Sequence, residues 1–163
     1  MQISQAEEER YIELQLIALD FARDGNTTEL KKMLDYGMSV NLSTVKEDSL
    51  LMLASYNGHF ETTKMLIQKG ANIDQLNQRG QTPLEGVCFK GDLKIVKLLV
   101  ENGAQFEGKA IIYASIFGHK EIVQYLQKES KNIKSFKSIC LKIITSITVK
   151  IKTFLTFIKG IKK

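Results

Sequence analysis

The sequence is short of the residues that most often mark a catalytic or metal centre. Its 163 residues include two histidines, His59 and His119, and two cysteines, Cys88 and Cys140. Two cysteines are too few for a disulfide framework, and their spacing fits no zinc pattern, which points to a reducing compartment. Neither G-x-G-x-x-G nor G-x-x-x-x-G-K occurs, so no phosphate-cradling loop is expected. Asp48, Asp74 and Asp92 fall singly in turns or at helix starts, which suits capping and not paired acid–base work. No run of about eighteen uncharged apolar residues exists, so no membrane-spanning helix is expected. The first apolar stretch, YIELQLIALDFA, is broken by Glu13 and Asp20, so no cleaved signal peptide is expected either. From residue 131 onward acid is missing altogether.

That last absence divides the chain. Residues 1–130 hold 14 Lys/Arg against 18 Asp/Glu, a net −4, whereas residues 131–163 hold nine lysines and no acid, a net +9. The basic pI is therefore a property of the tail. With 44% hydrophobic and 25% charged residues, the body has the composition of one soluble domain that can bury a core.

What the body has in place of a catalytic motif is a repeat. SYNGHFETTKMLIQKGA returns as FKGDLKIVKLLVENGA, and the step from Gly58 to Gly91 equals the step from Gly70 to Gly103. FARDGNTTELKKMLDYGMSVN places Gly25 and Gly37 the same step upstream. ASIFGHKEIVQYLQKES carries Gly118 closer behind Gly91 than that step allows, the shortfall lying between Gly103 and Lys109. A fixed period of about 33 residues marks a solenoid of stacked units.

Each unit reads as two short helices, over 50–56 and 60–68 in one copy. Gly58 and Gly91 stand at the reversals, and Gly70 and Gly103 end the second helices. Thr63, Leu66 and Ile67, and likewise Ile95, Val96, Leu98 and Leu99, supply an inward stripe at helical spacing. Thr82-Pro83 starts a helix, the threonine capping and the proline losing nothing at the first position. DQLNQRG, 74–80, is a projecting turn. Ser4 and Glu7 have capping-box spacing ahead of a long first helix, whose simplest use is to close the stack and whose other use is to bind a separate partner.

GQTPLEGVCFKGDLKIVKLLVENGA and SLLMLASYNGHFETTKMLIQKGANID resemble the ankyrin repeat, and the whole is similar to small stand-alone bacterial proteins of that family. The resemblance covers about residues 11–129 and departs from the pattern in three places. The first copy lacks Thr-Pro-Leu, Glu47-Asp48-Ser49 replaces Gly-x-Thr, and the last copy lacks a full finger. The fold expected is an all-α solenoid of about four helix-pair units with short β-turn fingers, followed by a basic apolar tail. Residues 1–130 form the repeat domain, with units at about 11–43, 44–76, 77–108 and 109–129, and 131–163 form the tail.

The resemblance implies a non-catalytic, monomeric scaffold or adaptor, with no cofactor and no metal, that binds a protein in its concave groove. It makes His59 and His119 structural residues that bond across the helix turn. It also names the positions that face the groove. In the fingers these are Val45, Lys46 and Asp48, then Gln78, Arg79 and Gln81; on the first helices they are Tyr56 and Asn57, Phe89 and Lys90, Ile116 and Phe117. Tyr56, Phe89 and Ile116 form one line, with Phe117 beside the last, and large exposed apolar groups of this kind are what interface hot spots favour. The other use for them is to cover the tail or a neighbouring unit. Cys88 takes a small-residue slot in a first helix and reads as an inert buried thiol.

The tail places Ile133, Phe136, Cys140, Ile143, Ile147, Ile151, Phe154, Ile158 and Ile161 on one helical stripe. Such a helix could lie in a membrane interface, with Lys134, Lys137, Lys142, Lys150, Lys152 and Lys159 toward anionic headgroups. It could equally dock on the last repeat as a cap. ITVKIK, 147–152, alternates as a strand would. Nucleic acid is disfavoured, because the tail has no arginine and is too apolar for a solvated basic arm. The location expected is cytoplasmic, or peripheral to a membrane if the tail engages lipid.

Overall fold

A computed structural model describes residues 4–131, 133 and 134. Among the described residues helices run in order: α1 (Gln5–Asp24), α2 (Thr27–Asp35), α3 (Leu50–Tyr56), α4 (Phe60–Gln68), α5 (Pro83–Lys90), α6 (Leu93–Glu101) and α7 (Gly108–Ile116). Residues 120–131 are helical as well. Among the described residues the only β pairing is a single bridge between Ser43 and Ser49. The chain divides into two compact units, Met1–Val123 and Gln124–Lys163, and the architecture below is that of the first.

The helices form where the sequence supplies caps. Ser4 and Thr82 each accept the backbone N–H of a glutamate three positions on, while that glutamate reaches back to the cap's own amide, so α1 and α5 both start in a capping box. Pro83 sits at the first turn of α5, where its missing N–H costs no hydrogen bond. Ser49 and Asp92 cap α3 and α6 through their side chains.

Helix pairs then stack. α1, α3, α5 and α7 pack side by side in one row, and α2, α4 and α6 in a second behind it. The core between the rows is built from Leu50, Leu51, Leu66, Leu84, Val87, Ile95, Val96 and Leu99, none more than 1% exposed. Of the expected inward stripe, Thr63, Leu66, Ile95, Val96 and Leu99 are buried, whereas Ile67 and Leu98 are half-buried.

Repeating polar bonds fix the step between units. The backbone N–H of Asn72 donates to the Asn41 side chain at 2.8 Å, and one repeat later that of Gln105 donates to Asp74 at 3.0 Å. The Thr27 and Thr62 hydroxyls share a bond of 2.6 Å between α2 and α4. Lys69 pairs with Asp35 across adjacent units, and this contact holds the Asp35 carboxyl below its ordinary range.

Candidate functional site

Two turns project beside the first row of helices. In the first finger, 44–48, the Thr44 N–H donates to the Asp48 carbonyl at 3.0 Å and the Glu47 N–H to the Thr44 carbonyl at 2.8 Å. The second finger, 77–81, repeats this: Asn77 N–H to Gln81 carbonyl at 3.1 Å, Gly80 N–H to Asn77 carbonyl at 2.8 Å. Glu47 and Gly80 both take the left-handed conformation, at φ 62° and 65°. Asn77 organises the second finger. It is 5% exposed, its carbonyl oxygen accepts the N–H groups of Arg79 and Gln81, and its amide donates to Asp48 at 2.7 Å. Sequence reasoning passed over it, because an asparagine in a polar turn looks like any other.

The expected groove residues in the fingers divide into two groups. Gln78 donates to the Val45 carbonyl through its side chain at 2.8 Å and to the Lys46 carbonyl through its backbone at 3.1 Å. Gln81 donates to the Tyr113 hydroxyl at 3.3 Å, and Asp48 is engaged by Asn77 and, at 3.9 Å, by Arg79. Gln78 and Asp48 bind the fingers together, and Gln81 ties the second finger to α7. Val45, which is 94% exposed, Lys46 and Arg79 extend into solvent.

Along the first row of helices an aromatic series runs from α3 to the end of α7. The Tyr56 and Phe89 rings stack with centroids 6.2 Å apart, and the Phe117 ring meets Phe89 edge-on at 4.3 Å. Lys90 places its ammonium 4.9 Å over the Tyr56 ring. The repeat register expects Ile116 as third member of this line, since Tyr56, Phe89 and Ile116 each stand two positions before a glycine. Phe117 takes the place instead, and Ile116 is 68% exposed. Asn57 turns back to the Leu53 carbonyl at 2.8 Å.

At the N-terminal end of the same row, α1 adds a surface where the sequence expects a cap first and partner binding second. Ile12, Leu16 and Leu19 of α1, with Leu42, Val45 and Leu53, line a concavity of about 770 Å³. The signal was present as helical spacing of 12, 16 and 19, but a capping helix carries the same pattern.

The histidine rings bond across to the preceding unit, not within their own helix turn. His59 Nε2 meets the Arg23 carbonyl at 2.8 Å and His119 Nε2 meets the Phe89 carbonyl at 3.0 Å, each in the preceding unit. A Cβ on Gly25 or Gly91 would overlap these imidazoles. At the middle junction Asp92 occupies the corresponding place and caps α6, accepting the Ile95 N–H at 3.1 Å. Asp48 and Asp74 link units, so of the three turn acids only Asp92 caps a helix. The Cys88 thiol is fully buried, and its burial pushes its pKa up to about 12, the reverse of what a nucleophile needs.

Of the tail lysines, Lys131 and Lys134 are described and exposed. Lys137, Lys142, Lys150, Lys152 and Lys159 lie outside the described residues, as does most of the apolar stripe. Among the described helices none is long and apolar enough to cross a membrane.

Comparison with known proteins sets this geometry in context. A family model described as ankyrin repeats (3 copies) matches residues 17–110 and 51–137. The chain is 34% identical over 84 residues to the fem-1 homolog A-like protein of Mus musculus, covering 48% of this chain and 13% of that protein. It is 50% identical over 46 residues to an ankyrin repeat protein of Pseudomonas aeruginosa, covering 28% of this chain and 27% of the other. It thus spans about an eighth of the first relative's length and about a quarter of the second's. Among solved structures it is similar to the human ASB11 ankyrin repeat domain, with a TM-score of 0.63 at 32% identity, over 69% of this chain and 53% of that one.

Proposed function

The chain belongs to the ankyrin-repeat family, and from that premise we propose that it is a non-catalytic scaffold holding one partner protein in the groove between its first helices and its fingers. Repeats of this family serve in general as protein-interaction scaffolds. The observation that carries the reading is the row Tyr56–Phe89–Phe117 with Lys90 over its first ring. Core packing does not require three aromatic side chains at the outer ends of helices, and aromatic anchors of this kind dominate binding energy at interfaces. Lys46 and Arg79 supply the polar rim, exposed Val45 adds an apolar contact, and the α1 concavity extends the groove past the first finger. The scaffold acts as a monomer in the cytoplasm.

The test is alanine replacement of Phe117 and Tyr56. Each truncation loses the ring pairing and part of a half-exposed side chain's burial, about 1–3 kcal/mol, and in variants that stay folded partner retention in a pull-down falls at least about tenfold. Undiminished retention by the folded double variant would remove the aromatic row from the groove.

The composition of the tail favours a second reading, a peripheral membrane adaptor whose residues 131–163 bind anionic lipid, since they carry nine lysines and no acid. Co-sedimentation of the full chain and a 1–130 truncation with anionic and neutral vesicles distinguishes the two. Salt-sensitive binding lost on truncation supports the adaptor; no binding by the full chain contradicts it.

A further inference from the structure

The finger series stops one member short. First and second fingers are the same turn, with matching hydrogen bonds and matching left-handed residues at Glu47 and Gly80. In the first, the carbonyls of Val45 and Lys46 face the second finger, and Gln78 donates to both. One repeat later, the carbonyls of Gln78 and Arg79 hold the same places in the same turn, so they face the position of a third finger. Among the described residues nothing donates a hydrogen bond to either.

The third finger is missing because the chain omits it locally. The repeating bond at the finger's base survives, as Gln105 to Asp74, and α7 then begins at Gly108. Where the finger's base would stand, a concavity of about 630 Å³ remains. Leu76 and Ile112, each 55% exposed, form its apolar walls. Three acids line it against the single cation Lys109. Asp74 and Glu85 are engaged by the Gln105 and Thr82 amides, whereas Glu107 makes no capping bond to α7.

We propose that this gap is a docking slot for an extended segment or turn of a partner protein, which completes the finger series from outside. The interface between the two existing fingers specifies the chemistry. A backbone N–H and an amide side chain donate to Arg79 and Gln78, as Gln78 itself does to Lys46 and Val45. An apolar side chain enters between Leu76 and Ile112, and a lysine or arginine meets Glu107. Completion of an open row of main-chain acceptors by an incoming strand or turn is an established mode of peptide capture. The slot lies on the flank of the second finger toward α7, where Gln81 already reaches the Tyr113 hydroxyl, and it does not use the aromatic row, so it stands apart from the groove reading.

A displayed library of random peptides, selected on the immobilised full chain, tests it. Selected peptides are titrated against the native chain and a finger-restored variant, in which a copy of residues 74–79 (DQLNQR) is inserted between Phe106 and Glu107. Two further chains, Leu76→Glu/Ile112→Glu at exposed positions and Phe89→Ala/Phe117→Ala, are titrated in parallel. The slot predicts peptides with an apolar residue flanked by Lys or Arg and an amide side chain. Affinity falls at least about tenfold with the restored finger and with the paired glutamates, and stays within about twofold for the alanine pair. If the inserted chain fails to fold, the glutamate pair decides. Peptides weakened by the alanine pair alone are groove ligands and overturn the slot while leaving the groove standing. A failure to enrich any peptide, or equal binding to all four chains, also overturns it.

Discussion

Gly91 and Gly58 hold equivalent places, one repeat apart, and take the same left-handed conformation at φ 91° and 83°. Their surroundings differ. The His119 imidazole lies against Gly91, whereas only the Asp92 carboxylate comes as near as 4.0 Å to a Cβ at Gly58. Gly58→Ala should therefore lose the backbone term alone, about 1 kcal/mol. Gly91→Ala must also displace the ring and its bond to the Phe89 carbonyl, for a total of roughly 2–3 kcal/mol. Urea denaturation of the two variants checks the difference, and equal midpoints would show that the histidine contributes nothing to the junction. Cys88 makes a second prediction at this scale. With its pKa raised from 9.0 to about 12 by burial, it should resist alkylation at pH 8 in the folded chain and react on unfolding. Because the folded state retains its proton longer than the unfolded state, this thiol's contribution to stability is complete below pH 9 and declines as pH rises toward 12.

At the scale of elements, α3 and α4 match the helices read over 50–56 and 60–68, because Gly58, Gly70 and the apolar spacing fix both ends. Thr82-Pro83 and Ser4–Glu7 were equally legible, since a cap acts on amides two or three positions away and the sequence holds both partners. What stayed hidden depends on neighbours a repeat distant. The ring partner of Phe89 is Phe117, one position later than the register implies, and only packing decides which side chain reaches back. The histidines look like local bonding residues until stacking places a carbonyl of the preceding unit beside them. Asn77 is the strongest such case. Its amide accepts two finger N–H groups, donates to Asp48, and is almost fully buried. Asn77→Ala should destabilise by about 2 kcal/mol, since it leaves buried partners unsatisfied. Amide exchange should accelerate at Arg79 and Gln81 before it does in α5. Unchanged protection at those two amides would mean that the finger holds its shape without the asparagine.

Across the described residues, each unit bonds to its neighbours, through contacts that include Asn41–Asn72, Asp74–Gln105, Thr27–Thr62, Asp48–Asn77 and the two histidines. Stability in such a stack is a sum of unit and junction terms, so the exposed face is free to carry side chains that folding does not demand. Tyr56, Phe89 and Phe117 are side chains of that kind, and the central claim is that they meet a partner. The most direct test places a photo-crosslinking phenylalanine analogue at Phe117 and, in a second chain, at Tyr36, an aromatic residue 92% exposed after α2. Exposure alone favours Tyr36; a binding groove favours Phe117. One discrete crosslinked species is expected from position 117 in source-cell extract, lost on Tyr56→Ala, and none from position 36. Crosslinking at 36 equal to that at 117, or no discrete species at 117, would contradict that claim.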